Sequence, residues 1–108
     1  MAEIFDSALR SHRDLAGVFE YDGETAYFYL YRNRDDQPGE IIEWIHIFSG
    51  SADFEEQDIS ILWDHKEQMV GLFIRGQLWA AFSEPWPTKH GGNYAPGAPS
   101  PLRLQFKR

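Results

Sequence analysis

From residue 16 to residue 83 the sequence alternates with a period of two, and residues that favour β-strands dominate this region. A strand repeats its side-chain direction every second residue, so the alternation predicts strands rather than helices. Short polar turns separate the segments, which favours antiparallel pairing of neighbours. We therefore predict a mainly β fold, an antiparallel meander of about six or seven strands arranged as a curved sheet, a sandwich or a partial barrel. The predicted strands cover residues 18–21, 25–32, 41–49, 59–64, 69–75 and 78–83.

The whole chain is expected to form a single domain, since 108 residues lie in the usual range of domain sizes. Apolar residues between positions 3 and 12 fall on one helical stripe, which predicts a short N-terminal helix, although an initial strand fits nearly as well. Residues 101–107 alternate and predict a last edge strand. Within residues 1–108, the segments are an N-terminal segment (1–15), the antiparallel sheet (16–83), an arm rich in Pro and Gly (84–100) and this edge strand.

The pair Asp22-Gly23 stands between the first two predicted strands and indicates a tight hairpin turn. A type I′ turn needs positive φ at both central residues, and Asp-Gly satisfies that need well. In this register Tyr21 faces Glu24, and Glu20 and Glu24 point to opposite sides of the ribbon. The three carboxylates of this stretch therefore do not converge, and the acids indicate a turn rather than a cation site.

Charge and composition exclude several classes of function. The net charge of −7 disfavours binding to nucleic acid or to anionic membranes, and it favours either a basic protein partner or plain solubility. The chain has no cysteine, which excludes disulfides and thiolate metal sites. No signal peptide and no apolar run of membrane-spanning length is present, so we expect a soluble, cytoplasmic protein.

Both faces of the predicted sheet are apolar. In the first hairpin one face carries Phe28 and Leu30, and the other carries Tyr27, Tyr29 and Tyr31. An open sheet with one wet face should alternate cleanly between apolar and polar residues. We therefore expect both faces to be covered by a second sheet, barrel curvature, the N-terminal segment, the arm or a second subunit, and a homodimer is one of these expectations.

His46 and Glu43 are the most informative titratable residues, because each is surrounded in sequence by large apolar residues. Strict alternation places them on opposite faces of strand 41–49, with Trp44 and Phe48 beside His46. Such a histidine either titrates and binds a ligand or is a core residue with one hydrogen-bond partner. The same two interpretations apply to Glu43.

Aromatic residues supply the other candidate binding positions. Tyr27, Tyr29 and Tyr31 form a stripe on one face, and Trp86 lies in the arm. Tyr and Trp are favoured at binding surfaces because they pack and hydrogen-bond together, although a packed sheet face under the arm explains the stripe as well. No zinc-ligand spacing, nucleophile elbow or phosphate-binding glycine motif is present, so we expect no catalytic residues, no metal and no cofactor.

The stretch VFEYDGETAYFYLY, the strand IIEWIHIF and the hairpin WDHKEQMVGLFIRGQLWAAF together resemble a family of small bacterial proteins of unknown function. The resemblance spans residues 17–83, and its most specific part is the hairpin containing Asp22, Gly23, Glu24 and Thr25, followed by the strand with Glu43 and His46. It implies a bacterial source and no assigned activity. It supplies no catalytic residues.

Two functional hypotheses remain from the sequence, beside a third interpretation in which the doubly apolar sheet is a homodimer interface and the function lies elsewhere. The first is a noncatalytic binding or interaction module, of an immunity or regulatory type, that masks a basic partner. The alternative is a small-ligand-binding protein or enzyme with His46 in a pocket between the sheet and the C-terminal arm.

Overall fold

A computed structural model describes residues 3–107 as two stacked four-stranded antiparallel sheets. Sheet A has the order β1-β2-β3-β4, and sheet B has the order β5-β6-β7-β8. The mainly β antiparallel prediction is confirmed, but the described residues form eight strands rather than six or seven, and the sheets do not close into a barrel. The strands are β1 (Ile4–Leu9), β2 (Leu15–Tyr21), β3 (Thr25–Arg32), β4 (Glu40–Ser49), β5 (Ile59–Trp63), β6 (Met69–Ile74), β7 (Gln77–Ser83) and β8 (Thr88–Gly91), with a 3-10 turn over Glu56–Asp58.

The core lies between the inner faces of the two sheets. The Phe28 and Phe82 rings meet across it with their centroids 5.3 Å apart. A Cβ on Gly17 would lie 2.7 Å from Val70 Cγ2, so this glycine permits the close approach of the sheets. Fully burying each large apolar side chain contributes about 1.5–3 kcal/mol. The largest fully buried side chains are Phe19, Phe28, Leu30, Ile47, Val70, Leu72, Ile74 and Phe82.

The N-terminal segment forms strand β1, so the predicted short helix is wrong. It pairs with β2 from Ile4 opposite Tyr21 to Leu9 opposite Ala16. Ile4 is buried and Phe5 is exposed, which is the alternation of a strand. A short apolar segment fits both periods, and here the free backbone groups of the β2 edge decide between them by offering hydrogen-bond partners.

The C-terminal region also differs from its prediction. The arm supplies β8, which pairs with β7, while residues 101–107 form no strand. Instead they run across the outer face of sheet B, where the Phe106 ring lies 5.1 Å from that of Phe73. A Cβ on Gly71 would lie 3.1 Å from the Phe106 ring, so the missing side chain leaves space for this contact. The alternating apolar residues of the tail therefore pack on a face instead of pairing along an edge.

The hairpin between β2 and β3 turns one position later than predicted. Tyr21 pairs with Ala26, which makes Gly23 and Glu24 the central residues. Of these two only Gly23 has a positive φ, 99°, so the predicted type I′ turn is wrong. The Asp22 carboxylate closes the turn instead, because its Oδ1 accepts hydrogen bonds at 2.8 Å from the backbone N–H groups of Glu24 and Thr25. These bonds, with that of Thr25 first, lower the pKa of Asp22.

Candidate functional site

The outer face of sheet A, which points away from sheet B, carries the exposed apolar surface. Phe5, Leu9, Ile41 and Trp44 are the exposed large hydrophobic residues among positions 3–107, at 60%, 40%, 53% and 55% exposure. Strand register places all four on this face, because Phe5 and Leu9 stand opposite Glu20 and Ala16, and Trp44 and Ile41 stand opposite Tyr29 and Tyr31. All exposed large hydrophobic side chains of residues 3–107 therefore lie on the outer face of sheet A.

A groove runs along this face above β2. Its floor is made of small side chains, those of Ala16 and Val18. Larger residues of β1 and β3 stand on either side, because both strands pair with β2. The residues that line the groove are Phe5, Ser7, Leu9, Arg13, Ala16, Val18, Glu20, Tyr29, Tyr31, Asn33 and Ile41.

The three tyrosines lie on this face as a half-buried row. The rings of Tyr27 and Tyr29 stack with their centroids 5.9 Å apart, and Tyr27 meets the His46 ring edge-on at 5.5 Å. The Tyr29 hydroxyl lies 3.5 Å from Glu20 Oε1, a long hydrogen bond. Burial, followed by the nearby Glu20 charge, raises the pKa of Tyr29. The row forms a stiff aromatic surface with a carboxylate at its edge.

His46 is an exposed residue, so the core interpretation is wrong. Its Nε2 lies 2.8 Å from Ser49 Oγ. A shallow depression beside it is shared with Lys89, Gly91 and Asn93 of the arm. His46 shares the open outer face with Trp44 by ordinary alternation, and a bulge at Ile47 follows it, since Tyr27 pairs with His46 and Ala26 with Phe48. Past the bulge Phe48 turns toward the core, while His46 stays on the outer face with the tyrosines.

Two of the predicted site residues lie elsewhere. Glu43 is half-buried, its Oε1 accepts a hydrogen bond from the Trp44 N–H at 3.1 Å, and it lies 3.7 Å from Lys89 Nζ. Trp86 packs against Trp63 at the far end of the sandwich, with ring centroids 5.8 Å apart. The structure therefore brings His46, Trp44, Tyr27, Tyr29 and Tyr31 onto one face and leaves Glu43 and Trp86 off it.

The residues of β1 that complete this face were not predicted from the sequence. Phe5 and Leu9 alternate with Ile4 and Ala8, and a strand interpretation of residues 3–12 would have placed them outside. Ile41 was not predicted either, because a second bulge of β4 lies between the pairs Leu30–Glu43 and Tyr31–Ile41. Bulges leave no clear signal in a single sequence.

Serine and histidine also meet in sheet B, where Ser83 Oγ lies 2.8 Å from His90 Nε2. A nucleophile and base of this kind need a third group that orients the imidazole. In residues 3–107 no side-chain hydrogen bond joins a carboxylate to either His90 or His46. Within the same residues no cluster of three His, Cys, Asp or Glu side chains could hold a metal ion.

The fold and this face define a small two-sheet β-protein with one exposed aromatic surface. Residues 2–86 match the family described as "Uncharacterized protein conserved in bacteria" (DUF2251), so the chain belongs to that family and the predicted resemblance is confirmed.

An uncharacterized protein of Haemophilus influenzae (strain ATCC 51907 / DSM 11121 / KW20 / Rd) is 37% identical over 71 residues, which cover 62% of this chain and 43% of that protein. The chain therefore matches less than half the length of this relative. No solved structure matches the chain. No helix within residues 3–107 has the length and apolar character needed to cross a membrane.

Proposed function

We propose that the protein is a noncatalytic interaction module, of a regulatory or immunity type, that holds a basic partner protein on the outer face of sheet A. One observation carries this proposal: the exposed large hydrophobic residues of the described chain lie together on that face. Contiguous exposed apolar patches mark interaction sites more often than scattered apolar residues do. We further propose that the protein binds this partner in the cytoplasm.

The chemistry of the face favours a basic partner. Tyr and Trp rings such as Tyr27 and Trp44 attract the side chains of Lys and Arg through their π faces. The exposed Glu20 and Asp22 carboxylates stand at one end of the face. A net charge of −7 adds long-range attraction toward a cationic protein. Masking a basic surface is thus the simplest task for this arrangement.

The alternative hypothesis, an enzyme or small-ligand protein built around His46, receives less support. His46 is exposed and lies in an open, shallow depression. Small-ligand sites usually enclose most of their ligand. We therefore assign His46 to the rim of the interaction face.

A titration followed by amide NMR shifts tests the proposal. The probe is a lysine-rich peptide with several leucines, compared with the same peptide carrying Glu in place of Lys. We expect the basic peptide to shift amides of β1, β2, β3 and β4 on the outer face, with weaker binding at high salt. Trp44→Ala should weaken binding by about tenfold or more, because it removes a large exposed aromatic ring from the face.

Matched charge variants provide the control. Glu20→Gln and Glu56→Gln each remove one exposed carboxylate, and only Glu20 lies on the face. We expect Glu20→Gln to weaken binding and Glu56→Gln to leave it unchanged. Equal effects of the two variants, or shifts spread over sheet B, would show that the attraction is unspecific and that the face is not the site.

A further inference from the structure

The groove above β2 has a defined width and no free backbone groups. It lies between the side chains of β1 and β3, which are about 10 Å apart because neighbouring strands are spaced by about 4.8 Å. β2 pairs along its length with both neighbours. An extended peptide lying on this floor would find no ladder of hydrogen bonds, because peptide strands add to sheet edges rather than faces. An occupant that buries its backbone against this floor must satisfy its own hydrogen bonds, as an α-helix does.

The two ends of the groove carry opposite charges. Glu20 lies at one end, and the exposed Asp22 follows it in the turn to β3. Arg13 lies at the other end, in the turn between β1 and β2. The Asn33 side-chain amide holds that turn by donating a hydrogen bond to the Arg13 carbonyl at 2.8 Å. The groove therefore has an acidic end and a basic end, with apolar side chains between them.

We propose that the partner presents an amphipathic α-helix, which lies along this groove with its N-terminus at Glu20 and Asp22 and its C-terminus at Arg13. This inference rests on the proposed function and specifies the partner. The partial positive charge at a helix N-terminus suits the two carboxylates, and the partial negative charge at its C-terminus suits the guanidinium. β2 alone is seven residues long and spans about 23 Å, which corresponds to roughly 15 helical residues.

A second copy of this chain is the less suitable occupant. Two copies packed through the same face would place one hollow against another and leave the floor residues Ala16 and Val18 without contacts. A helix instead inserts one ridge of apolar side chains between the two rows of larger residues. The ridge would contact Phe5 and Leu9 on one side and Tyr29 and Tyr31 on the other.

Two peptides of identical composition test the orientation. Both have 15 residues and an apolar stripe, but one has Lys in its first turn and Glu in its last, and the other has the reverse. The Glu-first peptide is the better intrinsic helix former, because its charges suit its own dipole. A preference of the protein for the Lys-first peptide therefore cannot come from helicity. We expect that preference to be about tenfold by calorimetry, with helix formation seen by circular dichroism.

Charge-removing variants provide the decisive control. Arg13→Gln with Glu20→Gln removes one charge from each end of the groove, and we expect the preference for the Lys-first peptide to fall severalfold. Lys66→Gln with Glu56→Gln removes the same charges from exposed residues off the face, and the preference should remain.

Other results separate this inference from the proposed function. Binding of both peptides at the face with equal affinity, or binding without helix formation, overturns the helix inference and leaves the interaction face standing. Sedimentation showing a dimer formed through the face that neither peptide displaces makes the second copy the occupant and overturns it as well. Absence of binding by any basic peptide at the face overturns both proposals.

Discussion

Arg10 should be among the most sensitive single positions for stability outside the core. Its guanidinium lies 5.6 Å from the ring centroids of both Trp63 and Trp86. It also donates two hydrogen bonds to Asp14, at 2.7 and 2.8 Å, and one to the Glu67 carbonyl at 3.0 Å. One side chain thus joins the first turn of sheet A to two connections of sheet B.

The expected cost of Arg10→Ala follows from these contacts. Each cation–π contact contributes about 0.5–1 kcal/mol at a partly exposed site. The pair with Asp14 contributes less than about 1 kcal/mol, because the Asp14 side chain is 48% exposed and solvent screens it. Losing the bond to the Glu67 carbonyl adds about 1 kcal/mol. We expect the free energy of unfolding in urea to fall by about 2–4 kcal/mol, with an unchanged m-value.

Two further variants divide this cost. Arg10→Lys keeps the charge but loses the paired hydrogen bonds, so it should recover only part of the loss. Asp14→Asn removes the ion pair alone and should cost about 1 kcal/mol or less. An Arg10→Ala loss no larger than that of Asp14→Asn would refute the role given to the two tryptophans.

The pH dependence of stability provides an independent test of the contact between Arg10 and Asp14. The hydrogen bond from Arg10 lowers the pKa of Asp14 from 3.8 to about 2. A depressed folded-state pKa contributes stability above the unfolded value, and this contribution is lost as the pH falls from about 4 to 2. Between about pH 4 and 2 the free energy of unfolding should therefore fall less with decreasing pH for Arg10→Ala than for the wild type, because the variant lacks this contribution. Urea unfolding at several pH values measures this difference.

Two smaller predictions concern the first hairpin and His46. Gly23→Val should lower the free energy of unfolding by about 1–3 kcal/mol, because it forces a β-branched residue to positive φ. Asp22→Asn should change it by less than about 0.5 kcal/mol, because an amide oxygen can still accept the hydrogen bonds of the turn. Urea unfolding compares the two variants, and an unchanged stability of Gly23→Val would contradict the observed turn. His46→Gln should leave the melting temperature within about 2 °C of the wild type, since exposed substitutions cost little, and a large drop would restore the core interpretation.

The sequence predicts the faces of a strand best where the alternation of apolar and polar residues is regular. The first hairpin shows this: Phe28 and Leu30 face the core and the tyrosines face outward, as the alternation indicates. The register slipped by two residues without changing the faces, since a side chain keeps its side under an even shift. The alternation in the sequence therefore predicts the sheet face of a residue more reliably than its partner on the neighbouring strand.

The candidate site was only half predictable, for two physical reasons. Alternation through β4 placed Phe48 beside His46, but a bulge carries Phe48 into the core, and bulges depend on tertiary packing. Which sheet face stays open is also decided by distant segments. The tail with Phe106 covers sheet B, and nothing local to Tyr29 indicates that sheet A lacks such a cover.

The two bulges of β4 have a consequence for aggregation. β4 is ten residues long and forms one edge of sheet A, the type of strand that can recruit another chain into a fibril. Its bulges interrupt the regular ladder, and bulges increase the local twist. Near its end the backbone N–H groups of Asn93 and Tyr94 already donate to the carbonyls of His46 and Ile47. These features make the long β4 edge a poor template for pairing with another chain. Sheet A can therefore carry an exposed aromatic face beside an edge that does not start fibril formation.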